Sequence, residues 1–535
     1  MTTYIKFLPV AALALGLGMT SCVGDLDVTP IDPNLELEYS PEGLFNKCYA
    51  NFAMQGNKAG DEVDIDGLDG GTAGLVRQMF NSNELTTDEA ICGWGDQGIA
   101  EFCYNTYGDS HPMLKGYYAR LTTGISYCNQ YLEACGDHDA TMSAEIRYLR
   151  AFQYYLILDA WGQIPFATKP LVAPVQYDSK QAYEWIEQEV LDIEKLLSAP
   201  KAKKSTDSGY GRVDKVAAWM LLARLYLNAE VYTGTAQWDN ASKYANKVMV
   251  EGKEGGYKLN TQGTADWSAY QMLFMADNGE TDAAHEAIFP VLQDGLQSRS
   301  WCSSLFLVAS TYDGDLHANK NAADATNNTD QAWGGNRCRP DLLKKFGITD
   351  EQHLNAWEMT AVADDDRALF DGVDRLYDNE DPGVFKNGYA TTKYSNWRSD
   401  NQAAHDATYT DMDFFMLRVA EAYLTYAEAQ ARMSSNVASG EAANAINELR
   451  KRAHAKTQTS YTLNEILDEW SREFYFEGRR RTDLIRHGKF GGNTGYTWTW
   501  KGGTHEGRNF DAQRNVFPIP SFVVQLNKFT QNPGY

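Results

Sequence analysis

Residues 211–234, GRVDKVAAWMLLARLYLNAEVYTG, carry the pattern that decides the fold. Within this stretch Trp219, Leu222, Ala223 and Tyr226 follow the aromatic, apolar, small, aromatic spacing of the first helix in a tetratricopeptide unit. The small residue lets a second helix approach closely, and the rings fill the space on either side of it. The stretch therefore predicts one helix of a packed pair.

The partner helix is predicted at about residues 238–250, where Tyr244 occupies the position expected of the pair. Apolar residues three and four apart predict further helices at about residues 143–161, 413–433 and 440–454. The spacing between these units is irregular, so a regular solenoid is not expected. We expect a mainly α protein: a single large domain built on degenerate tetratricopeptide-type helix pairs, with long irregular loops that carry the ligand surface.

Two segments between the predicted helices, residues 56–74 and 311–338, are rich in Gly, Asn and Asp and show no hydrophobic period. Such segments predict long loops. Because loops held on a rigid scaffold commonly carry binding residues, we expect the ligand surface in this part of the chain.

The composition is that of a folded, acidic protein. Of 535 residues, 43% are hydrophobic, 48 are Lys or Arg and 72 are Asp or Glu, which gives a net charge of −24. This charge repels phosphate groups, so no nucleic acid partner is expected and a neutral ligand is favoured. Aromatic residues reach 12%, enough to supply both a large core and a stacking surface for sugars.

The first residues resemble an export signal. Lys6 is followed by an apolar run over residues 7–19 that is too short to span a bilayer. The run leads into Met19-Thr20-Ser21-Cys22, which resembles the lipobox of bacterial lipoproteins, although Met stands where Leu is usual. We expect a signal peptide over residues 1–21, lipidation of Cys22, a tether over residues 22–42 and the folded domain over residues 43–535. The alternative is an ordinary signal peptide followed by a cysteine without a role.

Motifs for catalysis and cofactors are weak. Residues 93–98, GWGDQG, fit G-x-G-x-x-G, but the preceding LTTDEAICG is not an apolar strand and an acid lies inside the motif, which argues against a nucleotide site. Seven cysteines besides Cys22 include no C-x-x-C pair, so neither a disulfide framework nor a zinc site is predicted. The one cofactor candidate is a structural calcium ion bound by Asp277, Glu280, Asp282 and Asp294.

Tryptophans beside polar residues in the predicted loops are the main functional signal. The apolar face of a sugar ring stacks on indole, and its hydroxyl groups pair with carboxylate, amide and guanidinium groups. The alternative for each indole is that it fills the core. We predict a glycan surface with stacking platforms at Trp94, Trp301 and Trp333, and with hydroxyl partners at Asp96, Gln97 and Arg398.

Four segments resemble one family, the SusD/RagB-like outer-membrane lipoproteins of Bacteroidetes. One is the central stretch quoted above. The others are EIRYLRAFQYYLILDAWGQIPF at residues 145–166, ILDEWSREFYFEGRRRTDLIRHGKF at residues 466–490, and the closing NVFPIPSFVVQLNKFTQNPGY at residues 515–535. Together with the lipobox, the resemblance runs from Cys22 to Tyr535. It implies a mostly helical body, lipid-anchored at the cell surface in the outer membrane, that delivers an oligosaccharide to a SusC-like TonB-dependent transporter.

The resemblance is closer still to the starch-binding prototype of that family, through NELTTDEAICGWGDQ, NWRSD and WKGG. It implies that Trp301 and Trp333 match two of three aromatic glycan contacts, with Cys92 at the third, and that Arg77 is a polar contact. A missing third ring would disfavour starch, so a fructan is the rival ligand. The resemblance implies binding without catalysis. The alternatives are peptide or protein capture, as for some RagB-like members, and a glycoside hydrolase.

Overall fold

The fold is mainly helical. The computed structural model describes residues 39–57, 60, 62–318 and 326–535. Cys22, the predicted signal peptide and most of the predicted tether lie outside these residues. The α-helices are α1 Pro41–Ala53, α2 Leu75–Asn83, α3 Ile99–Cys103, α4 Pro112–Cys135, α5 Ala140–Trp161, α6 Ser179–Ile193, α7 Lys215–Leu227, α8 Ala229–Thr233, α9 Trp238–Lys247, α10 Ser304–Ser310, α11 Pro340–Lys344, α12 Ala356–Ala363, α13 Val419–Met433, α14 Glu441–Arg452, α15 Leu463–Phe474, α16 Arg480–Arg486 and α17 Ser521–Asn527.

The strands are short and form five two-stranded antiparallel ribbons in the described part of the chain. The pairs are β1 with β5, β2 with β3, β4 with β8, β6 with β7, and β9 with β10. Their bounds are β1 Ala90–Cys92, β2 Ile164–Phe166, β3 Val175–Tyr177, β4 Ala287–Val291, β5 Asn336–Cys338, β6 Phe370–Asp371, β7 Ala390–Thr391, β8 Phe414–Arg418, β9 Val437–Ser439 and β10 Ser460–Thr462.

The helix pair predicted from residues 211–234 is confirmed. Helix α7 packs against α9, and the rings of Tyr226 and Tyr244 stack with centroids 5.6 Å apart and planes inclined at 29°. Ala223 is fully buried, as is Ala241 on the partner helix, so the backbones approach closely. Neighbouring helices continue this packing: α4 lies on α5, α5 on α6, α9 on α13, and α13 on both α14 and α15. The predicted single helical domain is therefore correct.

One predicted helix begins too early. Residues 414–418, which we assigned to the helix at 413–433, form strand β8 and pair with β4, and helix α13 begins only at Val419. All five residues of β8 are buried. A short apolar run that is buried on both sides has no period that distinguishes strand from helix, so its partner strand decides the conformation.

A buried ionic network joins the C-terminal helices to the rest of the body. Glu473 in α15 accepts hydrogen bonds from three guanidinium groups: Arg418 at 2.6 Å, Arg367 at 3.1 Å, and Arg452. All four side chains are inaccessible to solvent. Burial alone would raise the pKa of Glu473, but attraction to Arg452, Arg418 and Arg367 outweighs burial and lowers that pKa to about 2. The carboxylate is therefore ionised and fully paired.

The closing segment packs on the helix that ends at Trp161. The indole nitrogen of Trp161 donates to the carbonyl of Pro518 at 3.0 Å, and the side-chain amide of Asn532 donates to the carbonyls of Trp161 and Phe517. Residues 145–166 and 515–535, both of which carry the family resemblance, are thus in direct contact. Among the described residues, no helix combines the length and the apolar character that a membrane crossing would need.

We expect Glu473→Gln to lower the free energy of unfolding by about 3–5 kcal/mol, because it leaves three buried guanidinium groups without their shared charge. The pKa of Glu473 is depressed, so its contribution is complete above the ordinary glutamate pKa of about 4.3 and is lost as pH falls toward 2. Denaturant unfolding at pH 7 and pH 3 should therefore show a smaller difference between variant and wild type at the lower pH.

The matched control is Glu448→Gln, which removes an exposed pairing with Lys451 and should change the unfolding free energy little. Equal losses in the two variants would contradict the network's role in stability.

Candidate functional site

Three predicted stacking residues meet at one shallow cavity of about 400 Å³. Its described lining consists of Gly70, Gly71, Arg77, Trp94, Asp96, Trp301 and Trp333. The three indoles are half-buried, so each ring has a face toward the body and a part open to solvent. Trp94 and Trp333 also pack against the hydrophobic core, so each of these two rings has both a core contact and a side that lines the cavity.

The ribbon of β1 and β5 holds two of the indoles. Trp94 follows the end of β1, and Trp333 precedes β5 by three residues. Beyond the paired strands the backbone of Gly93 donates to the carbonyl of Gly335 at 3.1 Å, and the indole nitrogen of Trp94 donates to the carbonyl of Trp333 at 3.1 Å. A Cβ atom on Gly335 would lie only 2.3 Å from the Trp94 ring, so a glycine is required at that position.

Helix α10 fixes the other side of the cavity. Trp301 precedes this helix, and its backbone nitrogen donates to the side-chain oxygen of Gln55 at 3.1 Å. At the far end of α10, Trp333 donates through its backbone nitrogen to the carbonyl of Ala309 at 3.0 Å. The loop positions of both indoles are therefore set by backbone hydrogen bonds to the helical body.

The three indole planes are not parallel. The ring centroids of Trp94 and Trp333 are 6.3 Å apart with planes inclined at 57°, and those of Trp301 and Trp333 are also 6.3 Å apart, with planes inclined at 32°. The three rings are thus adjacent, and each is tilted relative to the next. A flat ligand could not lie parallel to all three rings at once.

Arg77 forms the floor of the cavity. Its side chain extends from helix α2, and its guanidinium carbon lies 5.2 Å from the ring centroids of both Trp94 and Phe306. The residue is only 8% exposed, yet no described residue accepts a hydrogen bond from its guanidinium group, and Nε is buried without a partner. The guanidinium group therefore has donors that no described residue occupies, and a ligand oxygen in the cavity could accept from them.

The other predicted polar contacts do not all lie at this cavity. Asp96 is exposed at the rim of the cavity, and Gln97 is exposed beside it but does not line the cavity. Arg398 is not part of this group, because its guanidinium group donates to both oxygens of Glu280 at 2.8 Å. The hydrogen bonds from Arg398 lower the pKa of Glu280, so the two charges are already paired with each other.

The predicted calcium ligands do not form one site, which corrects that expectation. Asp277 accepts from the backbone and hydroxyl of Ser399, Glu280 from Arg398, and Asp282 from Lys204 at 2.7 Å. Asp294 instead lies near His405 and Asp411, and it accepts backbone hydrogen bonds of its own turn. These carboxylates are already paired with nearby cations or hydrogen-bonded to amide groups. The spacing of the residues in the sequence could not show these partners.

Sequence reasoning missed Tyr409 and gave Cys92 too much weight. The ring of Tyr409 lies against Trp301 with centroids 5.0 Å apart, which extends the aromatic surface. Its signal was an aromatic residue in a polar loop, DATYTD, the pattern that identified the tryptophans. Cys92 is buried in β1, where burial raises the pKa of its thiol. Trp94, two residues further on, lines the cavity together with Trp301 and Trp333.

Comparison with known proteins identifies relatives across the whole chain. A sequence model described as the SusD family matches residues 373–535. The starch-binding protein SusD of Bacteroides thetaiotaomicron is 37% identical over 579 aligned positions that cover 100% of both chains. Among solved structures, a SusD homolog from the same species covers 92% of this chain and 96% of its own, with a TM-score of 0.68 at 18% identity. Surface glycan-binding protein A from Bacteroides uniformis covers 92% and 98%, with a TM-score of 0.66 at 18% identity.

We expect Gly335→Ala to displace the Trp94 ring, because the added methyl group would overlap it. Such overpacking should lower the free energy of unfolding by about 1–3 kcal/mol and shift the tryptophan emission spectrum. The matched control is Gly95→Ala, since a Cβ atom there meets nothing within 4 Å. If both variants leave emission and stability unchanged, the close packing of Trp94 on the ribbon is not as described.

Proposed function

The chain belongs to the SusD family, and on that basis we propose that it captures a neutral glycan at the cell surface and passes it uncleaved to a SusC-like TonB-dependent transporter. The first candidate ligand is starch or a maltooligosaccharide. Lipidated Cys22 would anchor the protein in the outer membrane, so that the captured chain stays beside its importer.

The observation that carries the proposal is the combination of three adjacent indoles with the unsatisfied guanidinium group of Arg77. Indole faces offer apolar area to the C–H faces of sugar rings. Arg77 offers hydrogen-bond donors at the floor of the same cavity, where a hydroxyl or ring oxygen of the ligand would accept. Asp96 at the rim adds an acceptor for hydroxyl groups.

The curvature of the surface supports an α-linked glucan over a flat, β-linked one. Chains of α-1,4-linked glucose coil, so successive sugar rings present tilted faces. Planes inclined at 57° and 32° in sequence follow such a chain. The relative with 37% identity is itself named for starch. A fructan remains the alternative ligand to be tested.

The charge pattern supports a neutral ligand and binding without cleavage. The protein carries a net charge of −24, which opposes capture of anionic polysaccharides. Hydrolysis of a glycosidic bond generally requires two carboxyl groups on either side of the bond. Among the described residues that line the cavity, Asp96 is the single carboxylate, an arrangement that favours binding alone.

We expect Trp333→Ala to weaken binding of maltoheptaose by about 1–3 kcal/mol, the range known for ligand rings stacked on an aromatic side chain. Arg77→Met keeps an unbranched apolar stem but removes the guanidinium donors, and should cost about 1.5–3 kcal/mol. Isothermal titration calorimetry on the soluble domain measures both. Trp238→Ala is the control, because Trp238 is a half-buried indole at the start of α9 that packs on Arg432 and lies outside the cavity.

Three outcomes separate the alternatives. Binding of inulin-type fructooligosaccharides but not maltoheptaose would replace starch with a fructan. New reducing ends after incubation with amylopectin would show a glycoside hydrolase. Binding of peptides without any neutral glycan would favour peptide capture and would overturn the proposal.

A further inference from the structure

A second cavity, of about 470 Å³, lies between helix α12 and the loop at residues 261–271. It shares no lining residue with the aromatic cavity described above. Its polar and aromatic lining includes Thr264, Ser268, Gln271, Trp357, Thr360 and Asp364. The described lining also contains one histidine but no lysine or arginine, so the cavity offers an anionic ligand no permanent positive charge.

Helix α12 presents an indole and two polar groups on one face. Trp357, Thr360 and Asp364 follow one another at intervals of three and four residues, which places them in one line along the helix. Trp357 is half-buried, and Asp364 is exposed at the C-terminal end of the helix. The helix therefore offers a stacking ring, a hydroxyl group and a carboxylate to the same space.

The opposite wall supplies a fixed donor. The side-chain oxygen of Gln271 accepts from the backbone of Ser268 at 2.9 Å, and the hydroxyl of Ser268 accepts from the backbone of Gln271 at 3.2 Å. These two bonds hold the amide of Gln271 in one orientation. Gln271 is only 6% exposed, and no described residue accepts a hydrogen bond from its Nε2. The amide nitrogen is thus an oriented donor in the wall of the cavity, available to an oxygen atom of a ligand.

The neighbouring acids are already occupied. Asp365 pairs with Arg367 at 2.8 Å, and Asp366 lies 2.7 Å from Nδ1 of His454. Among these three consecutive carboxylates in the described structure, Asp364 alone has no hydrogen bond to another side chain. The cavity thus offers one acceptor from Asp364, one donor from Gln271 and several hydroxyl groups around an indole, a set that matches a neutral sugar rather than a cation.

We infer that this cavity is an auxiliary binding site for one or two sugar units of a neutral glycan. The inference rests on the proposed function. A polysaccharide long enough to reach both cavities would be held at two points, which raises its apparent affinity above that of a short oligosaccharide without new contacts at either site. The second site would thus favour long chains over short ones.

The test removes each site in turn and measures binding of amylopectin and maltotriose by affinity electrophoresis and saturation-transfer NMR. We expect Trp357→Ala to weaken retention by amylopectin about tenfold, while binding of maltotriose at the aromatic cavity is retained. The double variant Trp94→Ala/Trp333→Ala should still show weak saturation transfer to maltotriose. Adding Trp357→Ala to this double variant should abolish that transfer. Gln271→Glu keeps the oxygen that caps Ser268 and removes the donor, so it should reproduce the effect of Trp357→Ala without disturbing the fold.

The outcomes distinguish the two proposals. If wild-type protein binds no neutral glycan, the proposed function fails. Suppose that the wild-type protein binds amylopectin. If Trp357→Ala and Gln271→Glu then bind it as tightly as the wild type and the Trp238→Ala control do, the auxiliary site alone is wrong. Circular dichroism on each variant establishes that a loss of binding is not a loss of fold.

Discussion

The rest of the structure depends on the pairing of Glu473 with three buried arginines. Charges removed from water are tolerable only when each has a partner, so α15, β8 and α14 can come together in only one arrangement that satisfies them. The residues that follow α15 connect this network to the aromatic cavity. The backbone nitrogen of Gly478 donates to Glu84 at 2.6 Å, directly after helix α2, and α2 also carries Arg77. The helical body therefore fixes the floor of the glycan surface.

The loop residues that carry the indoles are held by hydrogen bonds before any ligand binds. Trp94 and Trp333 follow and precede the strands of one ribbon, and Trp301 is hydrogen-bonded to Gln55 before helix α10 begins. The rings therefore need little rearrangement when a ligand arrives, so less conformational entropy is lost on binding. The same holds for Gln271 in the second cavity, where the mutual bonds with Ser268 orient the amide in advance.

Periodicity and spacing predicted the helical body, because the packing of a helix pair depends on a local pattern. The small residue at Ala223 predicted a close helix pair, and the tryptophans that the sequence placed in Gly- and Asn-rich loops line one cavity in the structure. Local patterns do not show contacts between segments that are distant in the chain. Residues 414–418 form strand β8 because β4 pairs with them. Arg398 is paired with Glu280, which lies 118 residues away in sequence. The predicted calcium site failed for the same reason, because cations and amides elsewhere in the chain compete for its carboxylates.

The ribbon of β1 and β5 determines which substitutions the aromatic cavity can tolerate. It holds Trp94 and Trp333, which are 239 positions apart in the chain, beside each other through the β1–β5 pairing and the backbone hydrogen bond from Gly93 to Gly335. These main-chain contacts do not depend on either ring, whereas the bond from the Trp94 indole nitrogen to the carbonyl of Trp333 does. Glycine at 335 is the exception, since any larger residue would press on its neighbour. A different aromatic residue at position 333 would therefore change the face that the cavity presents to a ligand while the strand pairing beside it stays in place.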